Sequence, residues 1–298
     1  MKYDIFDPMD PLQFAWNRLR ANIGFFIVLM IIAAAIYLIP FLLQFMFIGF
    51  SGLSGTIPGG GMVILMILMP LLSLLVYLLV DLGLLKIALG FRDNKKPEIE
   101  DLFRGYPRLP TYLAASILFY LIIFVPSILL SMGSILFMRN PFLGMIVSFL
   151  MMILIFIAVI YLFIKYQFYG YLIIDKNLGP IEALKRSSEL TRGAEKNLFI
   201  FWLELFCGFA VILLFFGILI IAPMTVLAGV LSQKLLVYFT MVMNLIVTVI
   251  NLIVVVPIIK LATADIYRRL ADRSAATVGL DLLEGGQKSG EELPAGGA

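Results

Sequence analysis

The sequence predicts an all-α polytopic membrane protein with six transmembrane helices. Three observations carry this. The chain of 298 residues is 62% hydrophobic and 14% charged, against roughly 25% charged in a soluble domain. Its apolar residues fall into six runs of about 20 residues or more, the length that spans a bilayer as a helix. Of its 22 Lys and Arg residues, all but Arg139 and Lys234 fall on one side of the spans, a strong positive-inside bias.

The chain opens on an acidic lead-in with Asp4, Asp7 and Asp10. Asp10-Pro11 reads as an N-cap followed by Pro in the first turn. Leu12, Ala15, Trp16, Leu19 and Ile23 then share one helical face, while Gln13, Asn17 and Arg20 point away. This is the pattern of an interfacial helix with Trp16 at head-group level. The start is too polar, and the following apolar run too long, for a cleavable signal.

The spans are placed at Gly24–Phe47, Met62–Leu85, Thr111–Phe137, Phe142–Ile164, Leu198–Val230 and Leu235–Ile259. Pro40, Pro70, Pro126, Pro223 and Pro257 lie inside them, tolerated in lipid where neighbours satisfy the freed carbonyls. The basic segments place both termini in the cytoplasm. The external connections are then short: a charge-free glycine loop (Gly49–Gly61), Met138–Pro141 and Ser232–Lys234. Residues 1–270 form the transmembrane domain. From 271 to 298 the chain is rich in Gly, Ser, Ala and Glu without periodicity, and is expected to be a disordered cytoplasmic tail.

Pro11 and Arg18 recur as Pro97 and Arg104, 86 residues later, and Pro40 and Pro126 keep that offset. PIEALKR (Pro180–Arg186) resembles PEIEDLFR (Pro97–Arg104) with one residue deleted. One reading is a threefold repeat, a short cytoplasmic amphipathic helix before spans one, three and five, each followed by a hairpin. The other is that each hairpin independently needs a proline-started helix.

Within the spans only Asp81 and Glu204 are charged. With Lys165 and Lys260 at neighbouring helix ends they make an expected intramembrane polar cluster, a default functional hypothesis in a bilayer. An unpaired charge on Glu204 would cost a few kcal/mol, so it is expected either to have a cationic neighbour, with Lys165 and Lys260 the nearest candidates by depth, or to stay protonated. The structural alternative is ion pairing of helix ends and snorkelling lysines. Between spans four and five, Lys185, Arg186, Ser187 and Arg192 form a candidate contact for lipid or another anion. Ser187, Ser188 and Thr191 have no Glu or Gln three positions on, so none opens a capping box.

The chain has no histidine and one cysteine, Cys207, which removes histidine bases, the usual zinc sites and internal disulfides. No phosphate loop or nucleophile elbow is present. No catalytic residue, metal or cofactor is expected, and no nucleic-acid partner.

The run YLIIDKNLGPIEALKRSSELTRG (Tyr171–Gly193) carries Asp175, Gly179, Ala183, Leu184, Lys185, Arg186, Ser187, Leu190, Thr191, Arg192 and Gly193. In these residues it resembles a group of bacterial six-span membrane proteins of unknown function. The group includes proteins similar to the membrane domain attached to some glycerophosphoryl diester phosphodiesterases. The N-terminal FAWNRLRAN stretch fits as well. The resemblance implies the six-span fold and a place in the bacterial inner membrane. The diesterase activity of the fused proteins belongs to a separate soluble domain, so no catalytic residue is carried over. The expected role is a non-enzymatic membrane-embedded scaffold or accessory subunit that contacts lipid head groups or a membrane protein partner. The alternative is a carrier of a small solute or lipid through the helix bundle.

Overall fold

A computed structural model of the chain describes residues 6–54, 60–135, 141–227 and 233–290. Among the described residues the fold is all helical. Its helices are α1 (Met9–Ala21), α2 (Ile23–Ser54), α3 (Gly60–Arg92), α4 (Leu109–Ile135), α5 (Pro141–Tyr166), α6 (Tyr169–Lys176), α7 (Pro180–Leu190), α8 (Glu195–Leu227), α9 (Gln233–Ile250) and α10 (Val256–Gly290). Five segments are long and apolar enough to cross a membrane: Ile23–Pro40, Ile67–Arg92, Ile99–Ile128, Phe142–Lys176 and Tyr238–Ala276. The chain is a multi-pass membrane protein. The fifth expected span falls on α8, a helix of 33 residues outside these five. Of the three expected external connections, residues 49–54 and 60–61 belong to α2 and α3, Pro141 opens α5, and Gln233 and Lys234 open α9; the rest, Arg139 among them, lie outside the described residues.

Away from the charged ends, the helices turn large apolar side chains outward. Ile31, Leu71, Phe124, Phe149 and Ile218 are all exposed, as expected where the solvent is lipid. The buried core lies toward the other end, where α3, α6, α7 and α10 meet, and includes Leu82, Ile87, Phe168, Ile173, Leu198 and Tyr267.

Local features differ from the sequence expectation in four places. Helix α1 begins at Met9, so Asp10 and Pro11 sit in its first turn. The N-cap position is Pro8, which offers no side-chain cap, and Asp7 Oδ1 one residue earlier accepts the Met9 N–H at 3.0 Å. Its buried face is Pro11, Ala15 and Leu19, packed on α10, and Trp16 is left half exposed.

Before α4 there is no amphipathic α-helix. Pro97, Gly105 and Pro107 break the segment into two 3-10 turns, Ile99–Leu102 and Tyr106–Arg108. The first is closed by Asp101, whose Oδ2 accepts the Glu98 N–H at 3.0 Å.

Between α9 and α10, residues Asn251–Val255 form a π-helical turn, and the Val256 N–H bonds the Asn251 carbonyl. Pro257 supplies a cause, since it has no N–H and its ring crowds the carbonyl four residues back. The extra residue rotates everything after it by about 100°.

Helix α10 continues past residue 271, where the tail is expected to begin, to Gly290. It extends from a segment whose Leu261, Ile266, Tyr267 and Leu270 are buried. Elongating such an anchored helix costs far less than starting one. Residues 291–298 lie outside the described residues.

Candidate functional site

The charged side chains meet at one end of the bundle, and α10 is their hub. Asp265 is fully buried and takes Arg92 from α3 at 2.5 Å and Arg269 from its own helix at 2.7 Å. Arg269 also reaches Asp10 of α1 at 3.0 Å. Arg268 makes a fork on Asp93, with Nε on Oδ1 at 2.8 Å and Nη2 on Oδ2 at 2.7 Å. Its Nη1 donates to Asp175 Oδ2 of α6 at 2.9 Å, and the Tyr267 hydroxyl donates to the same oxygen at 2.7 Å. Bidentate arginine–carboxylate pairing is both strong and directional, so α1, α3, α6 and α10 are held in one register.

The polar stretch between α6 and α8 serves the same end. Helix α7 starts at Pro180 after Gly179 and buries Ala183, Leu184, Ser187 and Leu190. The Ser187 hydroxyl is fully buried and donates to the Lys165 carbonyl at 3.1 Å. It also accepts the Phe168 N–H at 3.2 Å. Thr191 Oγ1 lies 3.4 Å from that same Lys165 carbonyl. The last carbonyls of a helix lack partners within it, and here α7 caps the end of α5. This is the role of the two hydroxyl residues that the capping-box pattern did not explain.

Ser187 therefore leaves the expected anion-contact set. Lys185, Arg186 and Arg192 remain on the surface. Arg186 bonds Glu189 and Ser274, both at 3.0 Å. Lys185 and Arg186 line an open groove of about 840 Å³ between α7 and α10, with Lys176, Glu182, Glu189 and Asp272.

The expected intramembrane cluster of four resolves into one pair and two separate residues. Asp81 of α3 and Lys260 of α10 pair at 2.5 Å. The Tyr112 hydroxyl of α4 donates to the other oxygen of Asp81 at 2.6 Å. Lys165 is not with them: its ammonium lies over the rings of Tyr161 and Tyr166, 5.7 and 5.9 Å from their centroids. Glu204 does not receive Lys165 or Lys260, and its buried Oε2 has no hydrogen-bond partner among the described residues.

A cavity of about 170 Å³ surrounds the Asp81–Lys260 pair. Half of its lining residues are aromatic, including Tyr77, Tyr120, Phe163, Tyr169 and Trp202. The rings are fixed by one another and by polar ties. Tyr112 stacks on Tyr169 at 5.5 Å, and the Tyr169 and Ser116 hydroxyls bond at 2.9 Å. The Trp202 indole donates to Gln167 Oε1 at 2.8 Å. The Tyr171 hydroxyl lies 2.6 Å from Thr263 Oγ1 and 2.9 Å from the Lys260 carbonyl. None of these tyrosines stood out in the sequence, because an aromatic residue in an apolar run looks like core. Among the described residues no group of acidic or cysteine side chains is placed to hold a metal ion.

No family model, curated protein or solved structure matched the chain.

Proposed function

We propose that this chain is a non-enzymatic scaffold or accessory subunit of the bacterial inner membrane. It has six spans, with α8 as the fifth, and both termini in the cytoplasm. The reading rests on the α7–α10 groove. The buried charges beside it are matched to one another, while Lys185 is exposed and Arg186, bonded only at the surface to Glu189 and Ser274, can exchange those bonds for an acidic partner or anionic lipid. The apolar length of α8 and the positive-inside bias support the span count and orientation. The resemblance of Tyr171–Gly193 to the six-span membrane proteins supports the same assignment. In that setting α1 and α7 are the cytoplasmic amphipathic helices.

The test is a double variant, Lys185→Gln with Arg186→Gln. Each basic residue near an anionic surface contributes about 1 kcal/mol, so binding to anionic vesicles or to a co-purifying partner is expected to fall by about tenfold or more. Folding is expected to be unchanged, because both side chains are exposed. Unchanged association in the folded variant overturns the scaffold reading.

A carrier is the second reading, favoured by the cavity around Asp81 and Lys260. It expects reconstituted vesicles to move a lipid or small solute, and Asp81→Asn to slow that movement. Vesicles without flux for any lipid or solute presented exclude it.

A further inference from the structure

We propose that the aromatic cavity around Asp81 and Lys260 is a binding site for the zwitterionic head group of a phospholipid of the phosphoethanolamine type. The inference goes beyond the scaffold role and uses a different surface.

The balance of charge points to the ligand class. Asp81 and Lys260 cancel. A ligand of net charge would leave that charge uncompensated at membrane depth, where the cost is high. A ligand with one charge of each sign leaves the site neutral.

The donors point to a phosphate. Lys260 uses one of its three ammonium N–H groups on Asp81, and the other two have no bonding partner among the described residues. The Tyr77 and Tyr120 hydroxyls also line the cavity and have none. Both Asp81 oxygens already accept a bond. The surplus is therefore of donors, which suits phosphodiester oxygens. Trp202, Tyr120 and Phe163 line the same cavity, and aromatic rings attract an ammonium. The remaining lone pairs of Asp81 can take its N–H groups.

Size and position point to a lipid. About 170 Å³ is below the usual range of pockets that enclose a whole small molecule, so a head group enters and the rest stays outside. Tyr77 and Tyr120 are 47% and 42% exposed. On the same two helices Leu74, Leu121 and Phe124 are exposed as well, an apolar surface along which acyl chains can lie.

The test uses the full chain extracted in its native membrane and read by native mass spectrometry. Retained phosphatidylethanolamine is the expected result, with phosphatidylglycerol retained at least about tenfold less, the scale of a lost charge-assisted hydrogen bond. Lys260→Met is expected to reduce retention by about tenfold on the same scale. Should that variant fail to fold, Tyr77→Phe with Tyr120→Phe decides. It leaves the ion pair intact and is expected to cost about fivefold, the scale of neutral hydrogen bonds. Full retention in a folded variant overturns the proposal, as does equal retention of the two lipids. The fluorescence of Trp202, in a Trp16→Phe background, gives a second readout of occupancy and is expected to respond to phosphatidylethanolamine. Glycerophosphoethanolamine, the same head group without chains, is expected to leave that signal unchanged. Binding as tight as the lipid's would assign the cavity to a soluble solute and overturn the lipid. Loss of this site leaves capture at the α7–α10 groove untouched, so the two proposals fail separately.

Discussion

Asp265→Asn is expected to destabilise the folded chain by about 3 kcal/mol, the lower end of the range for breaking a buried ion pair. Asp265 is 1% exposed and is the shared anion for Arg92 and Arg269. The amide keeps the shape but removes the charge. It also turns an acceptor into a donor facing two guanidinium groups, which have donors only. The effect stays at the lower end because the Arg92 and Arg269 side chains are 31% and 33% exposed, so water recovers part of the loss. Asp10, the outer partner of Arg269, is 47% exposed. Asp10→Asn should therefore cost no more than about 1 kcal/mol. The two variants compared by equilibrium unfolding in detergent give the check. Equal effects would mean that burial of Asp265 contributes nothing, and that the α1–α3–α10 junction is held by packing alone.

The positions of the ionisable groups along their helices were legible in the sequence, and their neighbours were not. Asp81, Glu204, Lys165 and Lys260 all read as lying near one end of their helices. Depth along an axis says nothing about the direction in which a side chain points, and the pairing is an azimuthal fact. Lys260 meets Asp81, 179 residues away in sequence, partly because the π-turn at Asn251–Val255 rotates α10. Pro257 was visible, but not whether the chain would kink or widen there. Five of the expected spans were readable because a bilayer demands long apolar runs whatever the tertiary packing. The connecting segments had no such external constraint. Pro97–Arg104 resembles Pro180–Arg186 in sequence, yet Pro97, Gly105 and Pro107 break the segment into 3-10 turns. Ser187 and Thr191 have no helix-starting role in the sequence, and the carbonyl they cap belongs to a different helix.

Gly83→Ala is expected to cost about 2 kcal/mol of stability or more, although alanine is the better helix former by about 1 kcal/mol. Gly83 lies inside α3, where the 3-10 turn Ile99–Leu102 lands on the helix backbone. A Cβ at residue 83 would lie 2.1 Å from the Leu102 carbonyl oxygen and 2.6 Å from its Cα. Both are backbone atoms, so no side-chain rotation relieves the contact. Leu102 is fully buried, and the turn must lift off as a unit. Lifting it also parts Asp101 from Lys86 of α3, now 3.3 Å apart. Gly208 of α8 is the control, since a Cβ there meets nothing within 4 Å, and alanine should be neutral or slightly stabilising. Thermal unfolding in detergent separates the two, and limited proteolysis between residues 97 and 108 reports release of the turn. A Gly83→Ala chain that melts with the wild type and resists cleavage there would show that the turn does not rest on α3, and would remove the main support for its close packing.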